Sequence, residues 1–481
     1  MILYDTLTAQ KREFKPILGN RVNIYVCGIT PYAETHIGHA LSYVMFDVLR
    51  RYLEFQGYEI QFVQNFTDID DKIIARANEQ GISTEELARI YIEDYFEAMD
   101  SLNVKRADHY PMATIEMPKI IEIISSLIDQ GYAYPSSGDV NFRVTKDPEY
   151  GKLSHRTIDS MLEWANEELT ENKDHPLDFA LWKGTKPGEP SWDSPWGAGR
   201  PGWHIECTAM AIRYLGNTID IHGGGQDLIF PHHENEIAQS EGYTGDKPFV
   251  VTWMHNGLLH LGNDKMSKSL GNLVTVKEAL SNHTSDALRL LFLSSHYRSP
   301  LTYSESLVES SDRARQRLVN ALKPRQTEIE SELDGLKTAL GVDVSTYQDR
   351  FEEEFGIDTQ SYQLRFTAAL DDDLNTPQAI AVIFELAREI NRYKGMDVEV
   401  SSAQDCLRKL AGILGLSLNS TMSEPSNKSE ANEFINLLVS IRTELRTEKN
   451  WSLADKIRDE LDGMGVILED SSSGTQWEFK D

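Results

Sequence analysis

Two short stretches of the 481-residue chain carry residue types that bind phosphates. The first runs from Cys27 to His39, between an apolar run that predicts a buried strand and a segment whose apolar residues recur at helical spacing. A helix N-terminus presents unpaired N–H groups and the positive end of the helix dipole, which suits a triphosphate. Gly38 would let a flat ring approach the backbone. His36 and His39 are three residues apart and can point in one direction from the first turn.

The second stretch lies far downstream, at 265–272, and reads Lys-Met-Ser-Lys-Ser-Leu-Gly-Asn. It predicts a mobile cationic loop, with Lys265 and Lys268 able to close on phosphates. Each stretch alone also fits an ordinary helix cap or surface loop, because short motifs match by chance. In this order and context, the pair resembles the two signatures of the class I aminoacyl-tRNA synthetases.

Cysteine, histidine and glutamate residues form a candidate metal site. Zinc takes thiolate, imidazole and carboxylate ligands, usually four. His232 and Glu236 are four residues apart on a predicted helix that begins with a proline, so they share a face, whereas His233 is predicted to face elsewhere. Cys27 and Cys207 would complete four ligands. No two cysteines are locally paired, so the same residues also fit two buried cysteines beside an exposed, capped helix.

The elements that would position these residues follow an α/β pattern. A strand at 59–66 follows the first predicted helix, and this order predicts a parallel pair whose ligand lies beyond the carboxyl ends of the strands. The pattern stops near residue 111 and resumes at about 218, with a strand that runs into three glycines. From Thr275 to about Leu414 the pattern is helical. We therefore predict a Rossmann-like parallel-sheet catalytic domain with an insertion, followed by an α-helical bundle and a small C-terminal unit.

The predicted domain boundaries follow from these changes of pattern. They are 1–110 for the first half of the catalytic domain, 111–200 for the connecting insertion, 201–256 for the second half with the zinc ligands, 257–310 for the lysine loop and the stem-contact region, 311–417 for the helical bundle, 418–432 for a linker and 433–481 for the terminal unit. The bundle contains a strongly acidic segment, 326–360, to which the sequence assigns no role.

Composition limits the class of protein more than its function. The formal net charge of −29 argues against nucleic acid when read naively, but a large RNA can be held by a local basic face. The basic run 313–317 is one candidate for such a face, and a solvated helix surface is an equal alternative. Three cysteines make no disulfide framework, and neither a signal peptide nor a membrane-spanning run is found. These features predict a cytoplasmic protein.

Over nearly the whole chain, these motifs resemble the cysteinyl-tRNA synthetase family. The resemblance covers 27–39, 65–74, 178–210, 220–239, 265–272, 371–377 and 449–477. It implies an ATP-dependent ligase that activates L-cysteine to cysteinyl-adenylate and transfers the cysteinyl group to tRNA(Cys). It also implies a monomer, Mg²⁺ accompanying ATP, and one Zn²⁺ per chain that holds the substrate thiolate. Because zinc prefers sulfur to a hydroxyl, discrimination on the order of 10⁴ would need no editing domain.

The resemblance also implies a role for individual residues. The expected zinc ligands are Cys27, Cys207, His232 and Glu236. The expected catalytic residues are His36, His39, Lys265 and Lys268. The expected ATP-binding residues are Gly38, Gly224, Gly225, Met266 and Lys268. The expected cysteine-binding residues are Gly28, Thr67, Trp203 and Asp227. The expected tRNA-binding residues are Trp451, Asp455 and Arg458, with Trp451 stacking on an unpaired base; core packing is the alternative for that ring.

Two other functions remain open on the sequence. The turn Ile29-Thr30-Pro31-Tyr32 resembles a sister enzyme, the ligase that joins cysteine to glucosaminyl-inositol in mycothiol synthesis, with the same zinc and adenylation chemistry. That ligase lacks the terminal unit, whereas this chain keeps 450–459, which resembles an anticodon-binding domain, so tRNA charging is favoured. A catalytically dead RNA- or metal-binding paralogue would be expected to lose signature residues, and those residues are present.

Overall fold

The computed structural model describes two compact units, 1–418 and 419–481. The residues described are 1–162, 173–262, 264–265, 273–323, 356–396, 398–419, 435, 438–443, 445–446, 450–463, 466–471 and 474–479. Met266, Lys268 and most of the acidic segment lie outside them. The finer domain boundaries given above stay predictions.

The first unit contains thirteen strands and thirteen helices among its described residues. The strands are β1 (Ile2–Asp5), β2 (Gln10–Glu13), β3 (Arg21–Ile29), β4 (Glu59–Phe66), β5 (Ala133–Ser136), β6 (Asp139–Phe142), β7 (Phe179–Gly184), β8 (Gly199–Pro201), β9 (Ile219–Gly225), β10 (Val250–Asn256), β11 (Leu259–Leu261), β12 (Asp264–Lys265) and β13 (Leu301–Tyr303). The helices are α1 (Ile37–Phe55), α2 (Asp71–Gln80), α3 (Thr84–Ser101), α4 (Met117–Asp129), α5 (Ile158–Leu162), α6 (Trp203–Leu215), α7 (Glu234–Thr244), α8 (Val276–Asn282), α9 (Ser285–Leu293), α10 (Glu305–Leu322), α11 (Thr359–Asp371), α12 (Thr376–Lys394) and α13 (Ser401–Ile413).

A four-stranded sheet in the order β10-β9-β3-β4 forms the centre of this unit, and every neighbouring pair is parallel. Side chains alternate between its faces along β3. Val22, Ile24 and Val26 enter one apolar core, whereas Tyr25 and Cys27 enter a second core on the other face. A parallel sheet covered on both faces is the expected Rossmann-like architecture, so that prediction is confirmed. The carboxyl ends of β3, β4, β9 and β10 meet at one edge.

The insertion between the two halves of the sheet is a second, antiparallel sheet in the order β5-β6-β7-β8. Its last strand leads directly into α6, which carries Cys207, so the insertion sets where that helix begins. A buried carboxylate, Glu234, accepts hydrogen bonds from the N–H groups of Gly151 and Ser154, at 3.0 and 2.8 Å, and so ties the insertion to the start of α7.

The stretch after the lysine loop is not helical throughout, contrary to the sequence prediction. β13 interrupts it and pairs in parallel with β11. The physical reason is tertiary, because β11 offers an edge that the local pattern cannot reveal. Helices α9 and α13 pack against α1, and the buried Arg289 guanidinium binds the Asp47 carboxylate at 2.6 Å.

The second unit is described by itself. Helix α14 (Trp451–Gly463) and the hairpin of β14 (Val466–Ser471) and β15 (Gly474–Phe479) enclose a small apolar core of Ile435, Val439, Leu461, Val466 and Leu468. Across the described residues of both units, none of the helices is long and apolar enough to cross a membrane.

Candidate active site and metal centre

Four predicted metal ligands converge beyond the carboxyl end of β3. Cys27, Cys207, His232 and Glu236 each contribute one ligand atom, and these atoms lie within 4.8 Å of one another. The two sulfur atoms are 3.8 Å apart, and His232 Nε2 is 3.1 Å from Glu236 Oε1. All four side chains are buried. Thiolate, imidazole and carboxylate at this spacing form a donor set of the kind that zinc takes.

A second group of residues meets the same geometric condition. It consists of Cys27, His222, His233 and Glu236, whose ligand atoms also lie within 4.8 Å of one another. His233 Nε2 is 3.3 Å from the Cys27 sulfur, and His222 Nε2 is 3.0 Å from Glu236 Oε2. The two sets share Cys27 and Glu236. Glu236 Oε2 faces His222, whereas Oε1 lies near both His232, at 3.1 Å, and His233, at 3.9 Å.

The prediction that His233 faces elsewhere is wrong. It counted only residues four apart as neighbours on a helix face, but His233 and Glu236 are three apart and share a face as well. His233 Nε2 lies 3.9 Å from Glu236 Oε1. Both imidazoles are buried and face the centre.

The charges of the centre are set by burial and by mutual contact. Burial, with Cys207 nearby, raises the pKa of Cys27 well above its ordinary value. The hydrogen bond from Cys27 lowers the pKa of Cys207 to about 6. Burial opposes protonation of His232, but Cys207 and Glu236 outweigh it and raise that pKa to about 10. At neutral pH the centre thus holds two protons that a metal would displace, one on Cys27 and one on His232.

Further histidines surround the ligands and orient them. His204 Nδ1 lies 3.0 Å from His232 Nδ1. On the other side His255 Nε2 lies 2.7 Å from His233 Nδ1, and Thr6 Oγ1 lies 2.8 Å from His255 Nδ1. Such outer contacts fix the tautomer and the ring orientation of a metal-binding histidine.

The signature histidines lie at the start of α1. His36 is the N-cap, and its Nδ1 accepts the N–H of His39 at 3.2 Å. The two rings stack with centroids 3.6 Å apart. Burial lowers the pKa of His36 to about 4 and that of His39 well below its ordinary value, so both imidazoles are neutral at pH 7. His39 Nδ1 is buried and has no hydrogen-bond partner among the described residues. An atom that binds a ligand would be left unpaired in this way.

The chain after the lysine loop is bonded to this same turn. The N–H of Ile37 donates to the carbonyl of Val274 at 3.0 Å, and the N–H of Val276 donates to the carbonyl of Thr35 at 2.9 Å. Lys265, in β12, is placed before the loop, whereas Met266 and Lys268 lie outside the described residues. The described residues on either side of the loop therefore lie in β12 and beside the signature histidines.

The residues predicted to bind cysteine lie near the carboxyl ends of β3, β4 and β9 and at the start of α6. Thr67 is buried just after β4, and its N–H donates to the carbonyl of Ile29 at 3.1 Å. Trp203 is 41% exposed, and its ring centroid lies 4.4 Å from that of His232, so the ring lies beside the metal centre and reaches the surface. Asp227 is exposed in the turn after β9, and Gly28 lies in β3 beside Cys27.

The glycines at the end of β9 allow close packing of protein side chains. A Cβ atom on Gly223 would overlap Phe46 of α1, and one on Gly224 would lie 2.8 Å from Leu228 and 3.1 Å from the His233 ring. Gly224 therefore makes room for His233 in the centre. The roles of Gly224, Gly225 and Gly38 in ATP binding stay predictions.

In the second unit, the three residues predicted to bind tRNA share one face of α14. Trp451, Asp455 and Arg458 follow the helical spacing i, i+4, i+7, and all three are exposed. Trp451 is 54% exposed, so core packing does not account for this ring. Arg446 lies over it, 5.9 Å from the centroid.

Three histidines of the centre were missed from the sequence: His204, His222 and His255. His222 lies in β9 just before the glycines, and it pairs with Tyr25 while Ile221 pairs with Ile24. The alternation of Ile221 and His222 along the strand was therefore a signal that could have predicted His222 on the face of Tyr25 and Cys27. His204 and His255 carried no local signal, since each is a lone histidine in an apolar context.

Comparisons with known proteins agree with this architecture. The family description "tRNA synthetases class I (C) catalytic domain" matches residues 13–313, and "DALR domain" matches residues 365–419. A Cysteine--tRNA ligase of Dehalococcoides mccartyi is 54% identical over 480 residues, which covers 100% of each chain. That of Symbiobacterium thermophilum is 46% identical over 485 residues, which covers 99% of this chain and 98% of the relative.

Solved structures match at much lower identity. Mycobacterium tuberculosis methionyl-tRNA synthetase bound by methionyl-adenylate aligns with a TM-score of 0.56 at 16% identity, covering 83% of this chain and 89% of that one. The ternary complex of Agrobacterium radiobacter K84 agnB2 LeuRS with tRNA and LeuAMS aligns with a TM-score of 0.58 at 11% identity, covering 84% of this chain and 86% of that one. At such identities these structures bear on the fold alone.

Proposed function

The chain belongs to the cysteine--tRNA ligase family of class I aminoacyl-tRNA synthetases, and from this premise we propose that it activates L-cysteine with ATP and transfers it to tRNA(Cys) with the help of one zinc ion. The observation that carries the proposal is the buried group Cys27, Cys207, His232 and Glu236 at the edge of the sheet where nucleotides bind. An enzyme that adenylates cysteine needs a site that recognises the thiol next to a site that binds the nucleotide.

The donor set of the centre fits zinc. It offers two sulfurs, one imidazole and one carboxylate, with outer contacts to the imidazole and to the carboxylate. When bound, zinc supplies a Lewis acid that favours a thiolate over a hydroxyl. The depressed pKa of Cys207 and of Glu236, the latter about 2, keeps these two ligands ready for a cation. Burial of the whole centre excludes water that would compete for it.

Trp203 and Thr67 would form the walls of a site for a small amino acid. Trp203 offers a partly exposed ring beside His232, and Thr67 offers a hydroxyl at the end of β4. Asp227 would provide a carboxylate for the substrate ammonium group. These residues would orient the substrate so that its carboxylate faces the N-terminus of α1, where the phosphates of ATP would lie.

The turn at α1 would bind the phosphates through neutral donors. Because Nδ1 of His36 accepts the N–H of His39, the proton of the neutral His36 ring is on Nε2, where it can donate to a phosphate oxygen. The unpartnered Nδ1 of His39 offers a second contact. Lys265 and Lys268 would close over the same phosphates and stabilise charge that develops there.

Transfer to tRNA would use the second unit for recognition. The exposed ring of Trp451 can stack on an unpaired base, and Asp455 and Arg458 lie on the same face of α14 to read the base edges. This arrangement lets an acidic chain bind RNA through stacking and local contacts rather than through net charge.

A transfer assay tests the proposal. The zinc-loaded protein is incubated with ATP and radiolabelled cysteine, with total tRNA in one tube and glucosaminyl-inositol in another. We expect label on tRNA that is lost in mild base, as an ester would be, and no transfer when serine replaces cysteine. Label only on the amino sugar would assign the mycothiol-type ligase instead. Absence of cysteine-dependent ATP–pyrophosphate exchange at full zinc occupancy would overturn both.

A further inference from the structure

We propose that Asn65 is a positioning residue for cysteine binding: its side-chain amide holds Gly28, and through it Cys27, in register with Thr67 and Cys207. The proposal rests on the proposed function, because it concerns how that substrate would be held. Asn65 lies at the carboxyl end of β4, is 1% exposed, and was given no role by the sequence.

The first observation is an irregularity in the sheet at Cys27. Val26 pairs with Gln64 and Ile29 pairs with Phe66, so β3 has one more residue than β4 across this interval. Such a bulge redirects a side chain and is common beside active sites. Here the extra length includes Cys27 and Gly28, and it is at this point that the Cys27 sulfur enters the metal centre.

The second observation is that Asn65 holds this bulge in place. Its side-chain Oδ1 accepts the N–H of Gly28 at 2.9 Å. The backbones are in close contact too, because a Cβ atom on Gly28 would overlap the Asn65 carbonyl group. The amide oxygen thus satisfies a buried donor, and the glycine allows the approach that this bond requires.

The same amide reaches two further members of the site. Its Oδ1 lies 3.7 Å from the Cys207 sulfur, and its Nδ2 donates to Thr67 Oγ1 at 3.4 Å. The bond from Gly28 fixes which end of the amide is oxygen, so the Nδ2 group must face Thr67. That donation directs the Thr67 hydroxyl proton to another acceptor, and the buried Glu206 carboxyl is in hydrogen-bond contact with Thr67.

One buried side chain therefore contacts three parts of the site: the bulge that carries Cys27, the sulfur of Cys207 on α6, and the hydroxyl of Thr67 after β4. Contacts of this kind around a metal site change affinity or activity by roughly 10- to 100-fold when removed. We expect the change to affect cysteine and not ATP, because the described contacts of the amide all lead to residues of the metal and cysteine sites.

The test compares two variants with a matched control. Asn65→Ala removes all three contacts, whereas Asn65→Asp keeps an acceptor for the N–H of Gly28 and loses the donor to Thr67. Asn23→Ala is the control, because Asn23 lies on β3, is nearly as buried, and bonds only the carbonyl of Leu215 through its amide. Zinc content, thermal unfolding and ATP–pyrophosphate exchange are measured for each variant alongside the wild type.

We expect kcat/KM for cysteine to fall roughly 10- to 100-fold in Asn65→Ala and less in Asn65→Asp, with the KM for ATP unchanged and the control equal to wild type. A kcat/KM for cysteine within about twofold of wild type in both variants would overturn the proposal, as would equal losses of kcat/KM for cysteine and ATP. If Asn65→Ala does not fold, the kcat/KM of Asn65→Asp for cysteine decides. Failure of both to fold would assign Asn65 to the fold and also overturn the proposal. An inactive wild type would instead refute the proposed function.

Discussion

Adjacent histidines on one turn allow the metal ligands to be assigned. His232 belongs to the set with Cys207, and His233 to the set with His222; both sets share Cys27 and Glu236. We expect His232→Ala to weaken zinc binding far more than His233→Ala. The two variants remove the same ring from neighbouring, equally buried positions, so general damage to the fold is closely matched.

The magnitude follows from the number of ligands. Four-ligand zinc sites bind with about 10–16 kcal/mol, so each ligand contributes about 2.5–4 kcal/mol, or roughly 10²- to 10³-fold in Kd. An outer contact contributes about 10- to 100-fold. His233 is an outer partner of Cys27, at 3.3 Å. His233→Ala should therefore reduce the affinity for zinc about tenfold less than His232→Ala does. Cys207→Ser should resemble His232→Ala, and should raise the apparent cysteine requirement as its metal content falls.

The assay is competition for zinc against a chromogenic chelator, with metal content measured after dialysis. Cys406→Ser is the control, since this third cysteine lies on α13 and its thiol bonds the carbonyl of Thr359. It should bind zinc as the wild type does. Stronger losses in His233→Ala and His222→Ala than in His232→Ala and Cys207→Ser would refute the assignment and move the ion to the alternative set.

Three further outcomes are expected. Zinc binding at pH 7 should release about two protons, from Cys27 and His232, because their pKa values lie above 7 while those of the other two ligands lie below. The affinity for zinc should therefore fall as the pH is lowered. A weakly buffered zinc titration measures the proton release and, repeated at several pH values, the affinity. Trp451→Ala should raise the KM for tRNA without changing pyrophosphate exchange, and an equal effect on both would contradict a role in tRNA binding. Arg289→Met should lower the free energy of unfolding by about 3–5 kcal/mol in urea, because it leaves the buried Asp47 carboxylate short of a partner; a change below about 1 kcal/mol would count against this pair.

The fold class and the enzyme class of this protein were largely readable from its sequence. The two signature stretches, the strands of the parallel sheet and the spacing of His232 with Glu236 are local patterns, and local patterns reflect the geometry of single helices and strands. The class of enzyme followed from their combination. Residues such as Trp451 could be named for the same reason, since one face of one helix carries them.

The tertiary structure decided what no local pattern contains. β13 formed because β11 offered it an edge. His222, His255 and Asn65 join the site from separate strands, since strands far apart in the chain end at one edge of the sheet.

Spacing along a helix is fixed by covalent geometry and hydrogen bonding within a few residues, and a sequence displays it directly. Contacts such as those of Asn65 with Gly28 and Cys207 depend on how strands and helices pack, on a bulge of one residue, and on the space that a missing side chain leaves. These are properties of the whole fold, because each depends on elements that only the packed core brings together.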